Sequence, residues 1–235
     1  MAKKTSAAHM TPGEQLVGVC FFVIYLLVLP FVTAPAFDLV EKLLKTDISV
    51  AVRNMIYYYV MFAATVLIFH NYIGKATIRL TETAGEVCRT AVVGLVALYG
   101  LNELVYRLTN ILVKNRTNLN DTTISAQIND APRVTLLIVV LLAPFVEEVL
   151  FRGLVFGGLK GKNRLMAYVV SCVLFAALHV WQFAVVQRDI TYFLLMVQYL
   201  VPGLVLAWAY DRSGSIWSPF AIHAAANALS IWARH

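Results

Sequence analysis

Seven stretches of this chain are apolar for roughly the length a helix needs to cross a bilayer, about 20 residues. They fall near residues 16–36, 55–73, 88–113, 133–159, 165–187, 190–210 and 217–233. Backbone N–H and C=O groups in lipid must be satisfied internally, so only helices or a closed barrel can span. None of the stretches alternates as a barrel strand does. The expectation is an all-α, polytopic transmembrane bundle of about seven to eight helices. Composition agrees: 60% of the 235 residues are hydrophobic and mean hydropathy is +0.74, against roughly 45–50% apolar residues in soluble domains.

Three regions follow: a polar tail over 1–15, N-terminal helices and a loop over 16–132, and a core over 133–235. The run Leu16–Val32 has the look of a signal peptide, and Val32-Thr33-Ala34 would serve as its cleavage site. Pro35 follows directly and the run is long, so an uncleaved first membrane helix is expected. KNRTNLNDTTISAQINDAPR, 114–133, reads as an exposed loop, with Pro132 near the start of the next helix. The net charge of +6 suits loops facing anionic headgroups. No basic run with interleaved aromatics points to nucleic acid. Lysines and arginines divide almost evenly between the two sides, which leaves orientation open. Cys20, Cys88 and Cys172 lie in apolar stretches, form no CxxC pair, and are expected to be buried, inert thiols. Glu103 and Arg107 read as a structural pair, Asp211-Arg212 as a loop pair, and Trp181, Trp208, Trp217 and Trp232 as interface anchors.

One apolar segment departs from this pattern. In LLAPFVEEVLFRG, 141–153, three charges sit at membrane depth, where each costs roughly 2.5–3.5 kcal/mol on insertion scales. Glu148 and Arg152 are four apart with Glu first, the favourable order for a helical ion pair. Glu147 points about 100° away and lacks a local partner, which suits a carboxylate that accepts protons. Two further segments carry polar groups: FAALH, with Phe175 and His179, and HAAAN, with His223 and Asn227 four apart on one face. Ala176, Ala177 and the alanines around His223 permit close helix approach. Ser218 and Pro219 read as the cap and first residue of the last helix. Each feature alone is compatible with an ion lock, a hydrogen-bonding strut or polar glue. Together they place a hydrolytic set on three helices.

Glu147-Glu148-xxx-Arg152, Phe175-xxx-His179 and His223-xxx-Asn227 resemble the motifs of the CPBP family. That family groups type II CAAX prenyl endopeptidases with bacteriocin-processing and bacteriocin-immunity proteins. The resemblance covers about 133–233 and implies intramembrane peptide hydrolysis. It makes Glu147 the water-activating base and His179 its partner. It gives His223 and Asn227 the scissile carbonyl, and Glu148 and Arg152 a supporting role. The family has been described both as metalloproteases and as metal-free glutamate proteases. His179, His223 and Glu147 are the ligand types of a hydrolytic zinc site. A metal-free site is preferred, because Glu147 cannot easily be both ligand and base. No cofactor is therefore expected, with zinc as the alternative.

Rival mechanisms lack their signatures. HExxH is missing, Tyr210-Asp211 has no GxGD partner, and HAAAN has no GxSG nucleophile. A Cys172–His179 nucleophile is a further reading. The expected function is endopeptidase action on a membrane-associated, prenylated or leader-type peptide, in a bacterial plasma membrane. A non-proteolytic immunity or scaffold protein on the same fold is the alternative. A transporter, which also places Glu and His at depth, would more often show paired broken helices.

Overall fold

The computed structural model describes residues 8–112 and 118–233. Lys3, Lys4, Lys114, Arg116 and Arg234 lie outside the described residues. Among the described residues there are ten helices and no strand. These are α1 (Pro12–Leu44), α2 (Val50–Ile68), α3 (His70–Glu82), α4 (Ala84–Leu112) and α5 (Leu119–Asp130). There follow α6 (Pro132–Lys160), α7 (Arg164–Leu178), α8 (Trp181–Val186), α9 (Ile190–Ser213) and α10 (Trp217–Trp232). Five of them, α1, α2, α4, α6 and α9, are long and apolar enough to cross a membrane. The chain is an integral membrane protein, and its exposed leucines, valines and isoleucines face outward along these helices.

Local chemistry explains where the elements start and bend. Helix α1 begins at Pro12, four residues before the apolar run, because Thr11 and Glu14 form a capping box. Glu14 also accepts the Tyr72 N–H at 2.8 Å, which ties α1 to α3. Wide, π-type turns at Ile24–Val28 and Ile138–Leu142 lie just before or across Pro30 and just before Pro144, where the missing N–H breaks the regular ladder. A third wide run, Glu148–Phe156, contains no proline. Such turns are frequent at functional sites.

Several expectations are corrected. The polar stretch 114–133 holds a helix, α5, capped by Asn118, whose side chain accepts from the Asn120 and Asp121 amides. Its asparagines, threonines and aspartates give no apolar period to detect. The stretch 55–73 divides at Phe69 into α2 and α3, and 165–187 breaks after Leu178 into α7 and α8. Ser218 is not a cap: α10 starts at Trp217, and the buried Ser218 hydroxyl donates to the Val87 carbonyl of α4 at 3.2 Å. Cys20 and Cys88 are exposed on their helices, and only Cys172 is buried. Asp211 and Arg212 belong to the last turn of α9 and serve different partners.

Helix α6 is the axis of the bundle. Every residue from Leu142 to Leu154 is buried, so this stretch is covered on all sides rather than along one stripe. Phe145 packs against Phe62 of α2 and Phe220 of α10, and Phe151 against Phe22 of α1 and Phe175 of α7. Gly153 permits a close crossing with α3, since a Cβ there would lie 2.8 Å from the Tyr72 ring.

One end of the bundle is tied by charge. Asp211 of α9 accepts from Arg164 at 2.7 Å and Tyr168 at 2.9 Å, and also pairs with Lys160. Arg212 reaches Glu86 of α4 at 3.2 Å, and Gly214 closes α9 in the left-handed conformation, φ 65°. Replacing Asp211 with Ala should lower the thermal midpoint in detergent by about 2–6 °C, because three donors lose one shared acceptor. Asp211→Asn should fall between the two, by the same thermal measurement.

Candidate active site

The FxxxH segment explains the end of α7. In an unbroken helix the Phe175 carbonyl would take the His179 N–H. Here the His179 ring takes it instead, Nδ1 to Phe175 O at 2.9 Å, while the His179 N–H turns to Ala176 O at 3.3 Å. A carbonyl can only accept, so Nδ1 carries the hydrogen and, in the neutral ring, Nε2 presents a lone pair. That lone pair points toward Glu147, 3.9 Å from Oε2.

His223 of α10 is held in a parallel way. Its Nδ1 lies 2.8 Å from Glu148 Oε1, and its Nε2 lies 3.9 Å from Glu147 Oε2. Glu148 Oε1 also accepts from Arg152 Nη1 at 3.1 Å. The Glu148 oxygen that accepts from Arg152 also accepts from His223, so His223 Nδ1 donates and, in the neutral ring, its Nε2, too, presents a lone pair. Arg152 is fully buried. Its Nη2 donates to the Gly203 carbonyl of α9 at 3.1 Å, and its guanidinium lies 4.4 Å from the centroid of the Phe175 ring. The Arg152–Glu148–His223 cluster thus links α6, α9 and α10, with Phe175 of α7 as its wall.

Glu147 differs from Glu148 in facing the Nε2 atoms of both imidazoles. Its Oε2 is buried and, like Glu148 Oε2, has no hydrogen-bond partner among the described residues, although a buried carboxylate oxygen without one is costly. The Nε2 atoms of both imidazoles lie 3.9 Å from it. Three acceptors therefore face one another, and they require something between them that supplies positive charge or hydrogens.

Asn227 is placed on the His223 face of α10, and its amide donates to the Val139 carbonyl in the wide turn of α6 at 2.8 Å. One amide hydrogen is thus engaged in bracing α10 against α6, and the other is left over. Cys172 is buried against Gly203, and no hydrogen bond joins it to His179. Glu103 and Arg107 pair at 2.8 Å on the exposed surface of α4, away from this cluster.

The sequence reading missed several neighbours. Tyr25 of α1 and Tyr57 and Tyr58 of α2 lie within electrostatic range of Glu147. Tyr199 of α9 stacks on His179, with centroids 4.4 Å apart and planes at 21°. Tyrosines in apolar helices carry no spacing signal of their own. Tyr199 and Gly203, four apart, were legible as one face of α9, but nothing marked which face.

Zinc would have to be held by Glu147, His179 and His223. Their chemistry suits it: two imidazole Nε2 lone pairs, each ring pinned through Nδ1, with one carboxylate oxygen. Their spacing is looser. Donors bonded at 2.0–2.1 Å around a tetrahedral metal lie roughly 3.3 Å apart, whereas both nitrogens here are 3.9 Å from the carboxylate oxygen.

Comparison with known proteins bears on the same stretch. The chain is 32% identical over 101 residues to the "Putative membrane peptidase YdiL" of Bacillus subtilis, covering 42% of this chain and 37% of that protein. It is 28% identical over 87 residues to the "UPF0177 protein YxdF" of Lactococcus lactis, covering 37% of this chain and 42% of that one. The chain therefore matches about two fifths of the length of these curated relatives. No solved structure matches it. Over residues 129–229, which hold every motif residue from Glu147 to Asn227, the chain is similar to the family described as type II CAAX prenyl endopeptidase, Rce1-like.

Proposed function

We propose that this protein is an intramembrane endopeptidase that hydrolyses a peptide bond in a membrane-associated or lipidated peptide. One observation carries the proposal: a buried, unpartnered Glu147 oxygen stands 3.9 Å from the Nε2 atoms of both His179 and His223. A water oxygen about 2.8 Å from each fits between groups so spaced.

A neutral water brings two hydrogens to three acceptors, so the set holds one further proton, shared among Glu147, His179 and His223. Glu147 takes a proton from the water as its oxygen bonds to the scissile carbonyl carbon. The carbonyl oxygen gains the electron pair and is met by the second amide hydrogen of Asn227 and by His223 Nε2–H, when His223 holds the shared proton. The C–N bond then breaks, and the leaving nitrogen receives a proton from the Glu147–His179 pair. One oxyanion donor is typically worth about 2.7–4 kcal/mol, so losing Asn227 is costly. Glu148 and Arg152 touch no reacting atom in this scheme. They fix the His223 ring and its tautomer.

Zinc on His179, His223 and Glu147 would supply Lewis-acid polarisation of the carbonyl. The metal-free reading rests on the wide donor spacing and on the need for Glu147 as base. The compact chain with short connections suits a bacterial plasma membrane, where leader or signalling peptides are the natural substrates. A non-proteolytic immunity or scaffold role has no use for the unpartnered Glu147, and no observation favours it.

The test is cleavage of a membrane peptide library by purified protein in detergent or nanodiscs. Glu147→Gln should abolish cleavage while leaving the thermal midpoint almost unchanged. Glu148→Gln should cost activity and stability together, by about 3–5 kcal/mol, because it strands the buried Arg152. Exchange of these two phenotypes would reverse the roles of base and support. Exhaustive chelation should leave activity intact, and elemental analysis should find no stoichiometric zinc. One zinc per chain, with activity lost on removal and regained on return, would overturn the metal-free mechanism alone.

A further inference from the structure

Tyr199 lies outside every motif, yet its ring is the face on which His179 rests. The two rings are stacked nearly parallel, 4.4 Å between centroids and 21° between planes. The Tyr199 hydroxyl is held in turn. It accepts from Asn118 Nδ2 at 2.8 Å and lies 3.0 Å from Asn118 Oδ1. Asn118 Nδ2 also reaches Gln198 Oε1 at 2.9 Å, and Asn118 Oδ1 caps α5. One asparagine at the head of the polar helix α5 thus fixes the phenol that backs His179.

The imidazole needs this support. His179 closes α7, where the backbone ladder has already ended, and its ring hangs on a single bond from Nδ1 to Phe175 O. That bond sets the tautomer, but one hydrogen bond alone leaves play in the side-chain torsions that set the ring plane. Phe175 meets the imidazole at a tilt of 50°, 4.8 Å between centroids, and cannot by itself fix its plane. The nearly parallel ring of Tyr199 can. Gly203, one turn along α9, anchors Arg152 through its carbonyl. The same face of α9 therefore serves both halves of the site.

We propose that Tyr199 is a positioning residue for His179, locking the plane in which Nε2 faces Glu147, and that Asn118 locks Tyr199. The proposal rests on the endopeptidase reading for its kinetic consequence, and on geometry alone for the ring position. A catalytic group displaced by about 1 Å can lose 100-fold in rate. Tyr199→Leu, which removes the stacked ring, should lower kcat by about 30–100-fold, with KM and the thermal midpoint nearly unchanged. Tyr199→Phe keeps the ring and should retain most of kcat. Asn118→Ala releases the same hydroxyl and should match Tyr199→Phe.

The structural arm uses protein labelled in histidine, with the His179 resonances assigned by their loss in His179→Asn. The His179 ring signals should shift in Tyr199→Leu, as the ring current is removed and the imidazole reorients, and should hold near wild type in Tyr199→Phe. Unchanged kcat in Tyr199→Leu, or a fall in kcat matched by a fall in thermal midpoint that Tyr199→Phe does not rescue, would overturn the proposal. If wild-type protein cleaves nothing, the endopeptidase reading fails and the ring signals decide the positioning claim. Unmoved signals in Tyr199→Leu would then overturn it.

Discussion

The charge on Arg152 is the constraint around which the core is arranged. A fully buried guanidinium in a membrane protein is tolerable only when its charge is matched, and that of Arg152 still leaves its Nε without a hydrogen-bond partner among the described residues. Glu148 supplies the charge from the same helix, the Gly203 carbonyl supplies an acceptor from α9, and the Phe175 ring supplies a π face from α7. The last two contacts bring α9 and α7 against α6 and help to enclose it. Because Glu148 is spent on Arg152 and His223, Glu147 is left as the unmatched carboxylate. The division between the two neighbouring glutamates follows from the position of one arginine.

Much of this was legible in the sequence, for reasons that differ by residue. The membrane class followed from apolar length alone. The Glu148–Arg152 contact followed from a four-residue offset, and it survives in a stretch whose turns are wider than those of a regular helix. The end of α7 at His179 was not legible, since Trp-Gln-Phe-Ala-Val-Val continues the apolar pattern beyond it. The break comes from a side chain replacing a backbone donor, which hydropathy does not register. Helix α5 was hidden for the opposite reason: it is held by a cap and by contacts to α9, with no apolar face to reveal it. Ser218 shows the limit of cap reading. Its hydroxyl answers a carbonyl of a distant helix rather than its own helix start.

The motifs all lie after residue 140, yet the site is not built by that half alone. Tyr25, Tyr57 and Tyr58 bring three phenols from α1 and α2 to the surroundings of Glu147. Phe22 and Phe62 pack on the helix that carries it. Family likeness begins only at residue 129, so this part of the environment is set by helices outside the shared segment. The proposed reacting groups and part of the walls around them therefore have separate origins in the chain. Changes in α1 and α2 can alter what reaches Glu147 without touching the residues that define the chemistry.

That separation bears on how the proposed water-using reaction would operate among apolar helices. Glu147, His179 and His223 each present an acceptor to one small space, and both imidazoles are fixed through their other nitrogen to groups of the protein interior. Arranged this way, the site is polar toward its own centre and apolar outward, where Phe145, Phe151 and Phe175 meet the surrounding helices. Water drawn to the three acceptors gains hydrogen bonds that the rest of the core cannot offer. The same acceptors make the empty arrangement electrostatically unfavourable, because their lone pairs repel. The fold can hold them together only because Arg152, Glu148 and the helix-ending bond of His179 fix each ring from behind, where the stabilising contacts are remote from the reacting atoms.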